Sequence, residues 1–165
     1  MNLEAIFKDI IEKSNIDTIK IANLVIDYCN NNKIDITNLK LLKLLYFINI
    51  ENLNKTNGKP IFKEEFLAWR HGPVLLSVYD YFKFGIIYPN INEVEKIKLS
   101  FNQQILSTID EVLKKLAKVE VWKLVEKSHE DNSPWYKVYH ANKDEHGICE
   151  APISHSDIFN YYKDI

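Results

Sequence analysis

The sequence predicts a mainly α protein: a compact multi-helix single domain over residues 1–165, with a central apolar helix and a short β-hairpin or two-stranded element near residues 60–70. Three observations carry this expectation. Leu39, Leu41, Leu42, Leu44, Leu45, Phe47, Ile48, Ile50 and Leu53 leave only a narrow polar strip through Lys40, Lys43 and Glu51, and a helix apolar on most of its circumference belongs inside the fold. Several other segments repeat apolar residues at a helical period behind capping residues. The β-prone pieces, Pro60-Ile61-Phe62 and Phe66-Leu67-Ala68-Trp69, are too short for a sheet-dominated core.

In chain order, Leu3, Ile6, Phe7, Ile10 and Ile11 form an apolar stripe that Ser14-Asn15 interrupts, so residues 1–16 read as an extra N-terminal amphipathic helix. Asp17 then caps a second helix that buries Ile21, Leu24, Val25 and Tyr28 and ends in the Asn30-Asn31-Asn32 tract, with Cys29 reading as packing. The central helix begins after Thr37 and runs to about Leu53, and Asn57-Gly58 turns. The run through Trp69 turns into a helix at Gly72-Pro73, because Gly takes backbone angles closed to other residues and Pro fits a first helical turn. That helix continues to about Phe84, with Gly85 as its stop.

Residues 86–99, with Pro89 and alternating charge, read as a loop. Ser100 with Gln103 resembles a capping box ahead of Ile105, Leu106, Ile109, Val112, Leu113 and Leu116, the clearest helical stripe in the chain. A joint near residues 117–119 separates it from a helix holding Trp122 and Val125. Ser133-Pro134 opens a short helix with Trp135, Tyr136, Val138 and Tyr139. Residues 142–147 turn, residues 148–153 contain a brief extended piece, and Ser154 with Asp157 caps a last helix carrying Ile158, Phe159, Tyr161 and Tyr162.

Composition narrows the function. At 165 residues with only Cys29 and Cys149, the chain needs no disulfide framework and fits a reducing, cytoplasmic setting. A formal charge of -2 gives no general attraction to nucleic acid, and no apolar run reaches the length of a membrane span. Glycines at 58, 72, 85 and 147 alone cannot write a phosphate-cradling loop. His140, His146, Cys149 and His155 are separated by none of the usual metal-ligand spacings, so neither a metal nor a cofactor is expected. His129 beside Glu130 and Asp131 has the ingredients of acid–base chemistry but reads as a helix-end charge pairing. Lys114, Lys115, Lys118, Lys123 and Lys127 are interrupted by Glu111, Glu120 and Glu126 and read as a solvated face.

What remains is an aromatic surplus and one turn. Eight Phe, nine Tyr and three Trp exceed what a small helical core must have, and such residues beside Arg, His or Asn favour protein contacts. Trp69, Arg70 and His71 place an aromatic surface, a fixed cation and a titratable ring at one bend.

Leu39-Lys40-Leu41-Leu42-Lys43-Leu44-Leu45-Tyr46-Phe47, Ala68-Trp69-Arg70-His71-Gly72-Pro73-Val74, Val78-Tyr79, and Ser128-His129 with Pro134-Trp135 together resemble the Panacea domain, the SocA-like antitoxin or phage-associated protein family, over roughly residues 17–165. The resemblance implies a mostly helical antitoxin that neutralises a toxin encoded by an adjacent gene through direct binding. At least one relative is described as delivering its toxin to a protease. No catalytic residues come with the family. Its motif points to Lys43, Tyr46, Trp69, Tyr79, His129 and Trp135 as partner-binding candidates, joined by Arg70 and His71 from the turn, with Gly72, Pro73, Val74 and Pro134 as structural positions. Two readings compete: a small enzyme or ligand-binding domain using His71 and His129, and a DNA-binding regulator of its own operon. The acidity and the interrupted lysine face argue against the second for this domain alone.

Overall fold

The computed structural model describes residues 2–165, with side chains described for residues 2–6 and 17–165. Helix α1 spans Leu3–Asn31 and opens on Asn2, whose side chain accepts from the Glu4 N–H. The expected break at Ser14-Asn15 is absent: neither Gly nor Pro stands there, and Ser and Asn each cost only a fraction of a kcal/mol in a helix. Asp17 is therefore helix interior rather than a cap, 3.8 Å from Lys20. Of the N-terminal stripe, Leu3 is exposed, whereas the side chains of Phe7, Ile10 and Ile11 lie outside the described residues. The later turns bury Ile21, Leu24, Val25, Ile26 and Cys29.

Helix α2 (Asn38–Lys55) is the central element expected from its pattern. Thr37 caps it by accepting from the Lys40 N–H, and twelve of its residues are buried, Lys43, Asn49 and Asn52 among them. Helices α1, α3, α5, α6 and α8 and strand β2 pack around it, with α3 at Leu76–Phe82, α5 at Gln103–Leu116, α6 at Val121–Ser128 and α8 at His155–Tyr162. The remaining helices are α4 (Ile91–Ser100) and α7 (Pro134–Asn142), and the strands are β1 (Phe66–Trp69), β2 (Gly72–Val74) and β3 (Pro152–Ile153).

The strands form one antiparallel sheet in the order β2-β1-β3. Two expectations are corrected here. Pro60-Ile61-Phe62 is irregular, its Ile61 N–H donating to Asn49 Oδ1 at 3.1 Å, so a side chain of α2 takes the place of a partner strand. Gly72-Pro73 starts no helix: Trp69 pairs with Gly72 and Ala68 with Pro73, making residues 66–74 a hairpin, and α3 begins only at Leu76. Pro73 is tolerated because β2 is an edge strand.

The stretch expected as a loop contains α4. Asn90 accepts from the Glu93 N–H at 2.9 Å while Glu93 accepts from the Asn90 N–H at 3.1 Å, and Val94 and Ile97 are buried beneath. Asn90→Ala should cost about 1 kcal/mol, read as a lower urea midpoint at unchanged slope. Helix α5 is capped by Asn102 rather than Ser100, and the joint between α5 and α6 falls where the sequence puts it. Ser133 and Ser154 cap α7 and α8 through the Tyr136 and Asp157 N–H groups. Among the described residues no helix is long and apolar enough to cross a membrane.

Candidate functional site: a hairpin corner braced from below

Arg70 and His71 are the two turn residues of the β1–β2 hairpin, and both are exposed. Gly72 supplies the backbone angle that the turn requires, φ +108°, a region closed to residues with a Cβ. Beneath it lies Lys43, wholly buried on the central helix, whose ammonium donates to the Pro73 carbonyl oxygen at 2.7 Å. A Cβ at position 72 would sit 2.7 Å from Lys43 Cε, and 2.9 Å from both Lys43 Nζ and Ser128 Oγ. The glycine is thus required twice, once for the turn and once so that a lysine can pass under it.

The flank is aromatic. Trp135, at the start of α7, donates its indole N–H to the Trp69 carbonyl at 2.7 Å. The ring of His129 stacks on that indole at 3.6 Å and 7° between planes, and Tyr139 stacks near it at 4.7 Å. The Tyr139 hydroxyl donates to the Gly147 carbonyl at 2.9 Å. On the other side Tyr79 meets the edge of Trp69 at 4.8 Å, and Asn38 holds the Tyr79 carbonyl at 3.2 Å. At the rim, His71 lies edge-on to Trp122 at 5.7 Å, and Trp122 is 51% exposed.

Burial weakens the positive charge held inside this corner. Burial pulls the Lys43 amine down to about 7. Burial, then the nearby charges of Lys43, His71 and His140, pull His129 down to about 4, so its imidazole is neutral at physiological pH. No carboxylate contributes to either shift. His129 Nε2, Trp69 Nε1 and Asn38 Oδ1 are buried without a hydrogen-bond partner among the described residues.

The fold brings Lys43, Trp69, Arg70, His71, Gly72, Pro73, Val74, Tyr79, His129 and Trp135 around one hairpin, with Pro134 buried at the start of α7 on the side that faces α8. Tyr46 is elsewhere, fully buried under β1 with its ring 5.2 Å from Phe66 and 6.3 Å from Tyr162. Of these candidates, Arg70 and His71 face solvent, Trp69, Tyr79 and His129 are half-buried, and the others are buried. His71 and His129 do share the corner, but His129 presents a stacked face and an enclosed Nε2, and a general base must come within about 3 Å of the proton it takes.

Two contributors were named in the sequence without a site role. Ser128 is buried beside Gly72, and Trp122 falls off the apolar face of α6 formed by Leu124 and Val125. A separate exposed string, Tyr81, Phe84, Ile87, Tyr88 and Ile91, flanks the α3–α4 connection. The C-terminal histidines are spread out: His155 contacts the Glu64 carbonyl and Asn49, while His146 pairs with Glu145. Among the described residues no three His, Cys, Asp or Glu side chains are placed to hold a metal ion.

The Antitoxin SocA-like, Panacea domain family matches residues 41–136, a span that runs from the central helix through the hairpin to the first turn of α7. The chain belongs to that family. It is 32% identical over 134 residues to Antitoxin SocA of Caulobacter vibrioides (strain NA1000 / CB15N), covering 75% of this chain and 71% of that relative. No solved structure matches the chain.

Proposed function

We propose that this protein is a non-enzymatic antitoxin that neutralises a toxin encoded by the adjacent gene, gripping it at the hairpin corner through direct protein contact. The observation behind this reading is the division of labour around the turn: Lys43, Trp135 and His129 brace it from inside, while Arg70, His71 and Trp122 stand outside it. A braced turn loses little entropy on docking, and exposed Arg and Trp are the residue types that dominate protein interfaces. Lys43, His129 and Trp135 serve this surface as framework, with Tyr46 deeper under β1; Trp69 and Tyr79 position its edges.

Co-expression of this chain with the adjacent gene product tests the reading. Growth rescue together with a copurifying complex is expected; no rescue and separate elution contradict it. Delivery of the bound toxin to a protease is a further step that the family resemblance suggests, and the toxin's lifetime with and without this chain reports on it. Retardation of upstream DNA by the purified domain, weakening with salt, would favour the regulator instead.

A further inference from the structure

Arg70 is the sole arginine of a chain whose other basic side chains, apart from histidines, are all lysine; Lys and Arg together number 21. It stands at a two-residue turn, exposed, with no ion pair among the described residues. Elsewhere the chain pairs lysine with neighbouring carboxylates, as at Lys114–Asp110 and Lys55–Glu111. A long cation used only for solubility is interchangeable between the two residue types. A planar fork that grips two oxygens at once is not, because lysine offers a point charge without fixed directions.

We propose that Arg70 is the receptor for a single carboxylate of the toxin, an Asp or Glu side chain held by both guanidinium arms beside the His71–Trp122 edge. This rests on the antitoxin reading and assigns the chemistry of the partner at the same corner. Three features favour it. The backbone of the turn is braced by Lys43 and Trp135, so the arginine is carried on a fixed base. The charged groups that act on His129 beneath the turn are Lys43, His71 and His140, with no carboxylate among them, so an entering anion meets no competing anion there. The exposed indole of Trp122 supplies apolar surface for the residue that carries the carboxylate. A polyanion such as nucleic acid fits less well, since the chain's formal charge of -2 gives it no general attraction to a run of phosphates.

The test uses the full chain and the co-expressed adjacent gene product, comparing wild type with Arg70→Lys, Arg70→Ala and Arg70→Glu. With wild type forming a complex, Arg70→Lys and Arg70→Ala should each raise Kd by about tenfold or more while melting with the wild type. Arg70→Glu should be rescued by reversing one particular Asp or Glu of the toxin to Arg. Arg70→Lys binding within about twofold of wild type, or failure of every single carboxylate reversal to rescue Arg70→Glu, would overturn the assignment while leaving the antitoxin reading intact. Absence of a wild-type complex would overturn both. Arg70-dependent binding of DNA in place of the toxin would overturn it in favour of phosphate recognition.

Discussion

Gly72→Ala should destabilise the protein by about 3 kcal/mol, from a positive φ imposed on a residue with a Cβ together with overpacking beneath the turn. For a chain of this size that lowers Tm by about 6–12 °C. The atoms in the way are the end of the Lys43 side chain and the hydroxyl of buried Ser128; a lysine on a surface would swing aside. Here the side chain is wholly enclosed and its Nζ is held at 2.7 Å by Pro73 O, so moving it either breaks that bond or opens the hairpin. Most of the clash is with Lys43, and a double-mutant cycle exposes that share: Gly72→Ala with Lys43→Ala should lose less than the sum of the single losses. A Gly72→Ala protein as stable as wild type would mean that the turn is not seated on Lys43.

The second large effect is a rise of stability with pH. Lys43 titrates near 7 when folded and near 10.5 when unfolded, so between those values the unfolded chain binds more protons and stability increases with pH. The contribution is complete above the unfolded value and is lost as pH falls toward 7. From pH 7 to pH 9 the expected gain is about 2 kcal/mol. Lys43→Met should flatten this window while changing stability at pH 7 much less, because removing a buried charge offsets the hydrogen bond lost at Pro73. His129 adds a separate acid limb: its folded value near 4 lies below its ordinary 6.5, so stability falls as pH drops through that interval. Burial also raises Cys29 and Tyr162, which lowers stability at the alkaline end. The Lys43 effect is therefore read as the difference between wild type and Lys43→Met in urea titrations at pH 7 and 9. Equal slopes for the two proteins would contradict a buried, partly neutral lysine.

Local signals carried most of the fold. Thr37, Ser133 and Ser154 cap the helices that the sequence assigns to them, and the apolar circumference of residues 39–53 marks the central helix. The errors arose where one local signal suits two structures. A Gly-Pro pair fits a first helical turn or an edge strand equally, and the choice was made by β1 and by a lysine thirty residues away. Asn90 and Glu93 write a capping box, but Pro89 and the surrounding charge obscured it. The opposite happened at Ser14-Asn15, where polar residues suggested an end that propensity alone is too weak to impose. The family motif, Tyr46 apart, names residues that the fold gathers at one corner, without separating surface from frame: Lys43 lies in the polar strip of its helix, and the missing Cβ of Gly72 leaves room for it to be buried. The legible clue to the outer face was the bend itself, where the sequence sets Arg70 and His71 side by side.

The central claim is that the toxin docks on the braced turn. Hydrogen–deuterium exchange of the chain, free and in complex with the co-expressed toxin, addresses it directly. The account predicts that backbone amides of residues 69–72 and the first turn of α6 gain protection in the complex. Protection confined to the exposed string between Tyr81 and Ile91, with the hairpin exchanging as in the free chain, would contradict it.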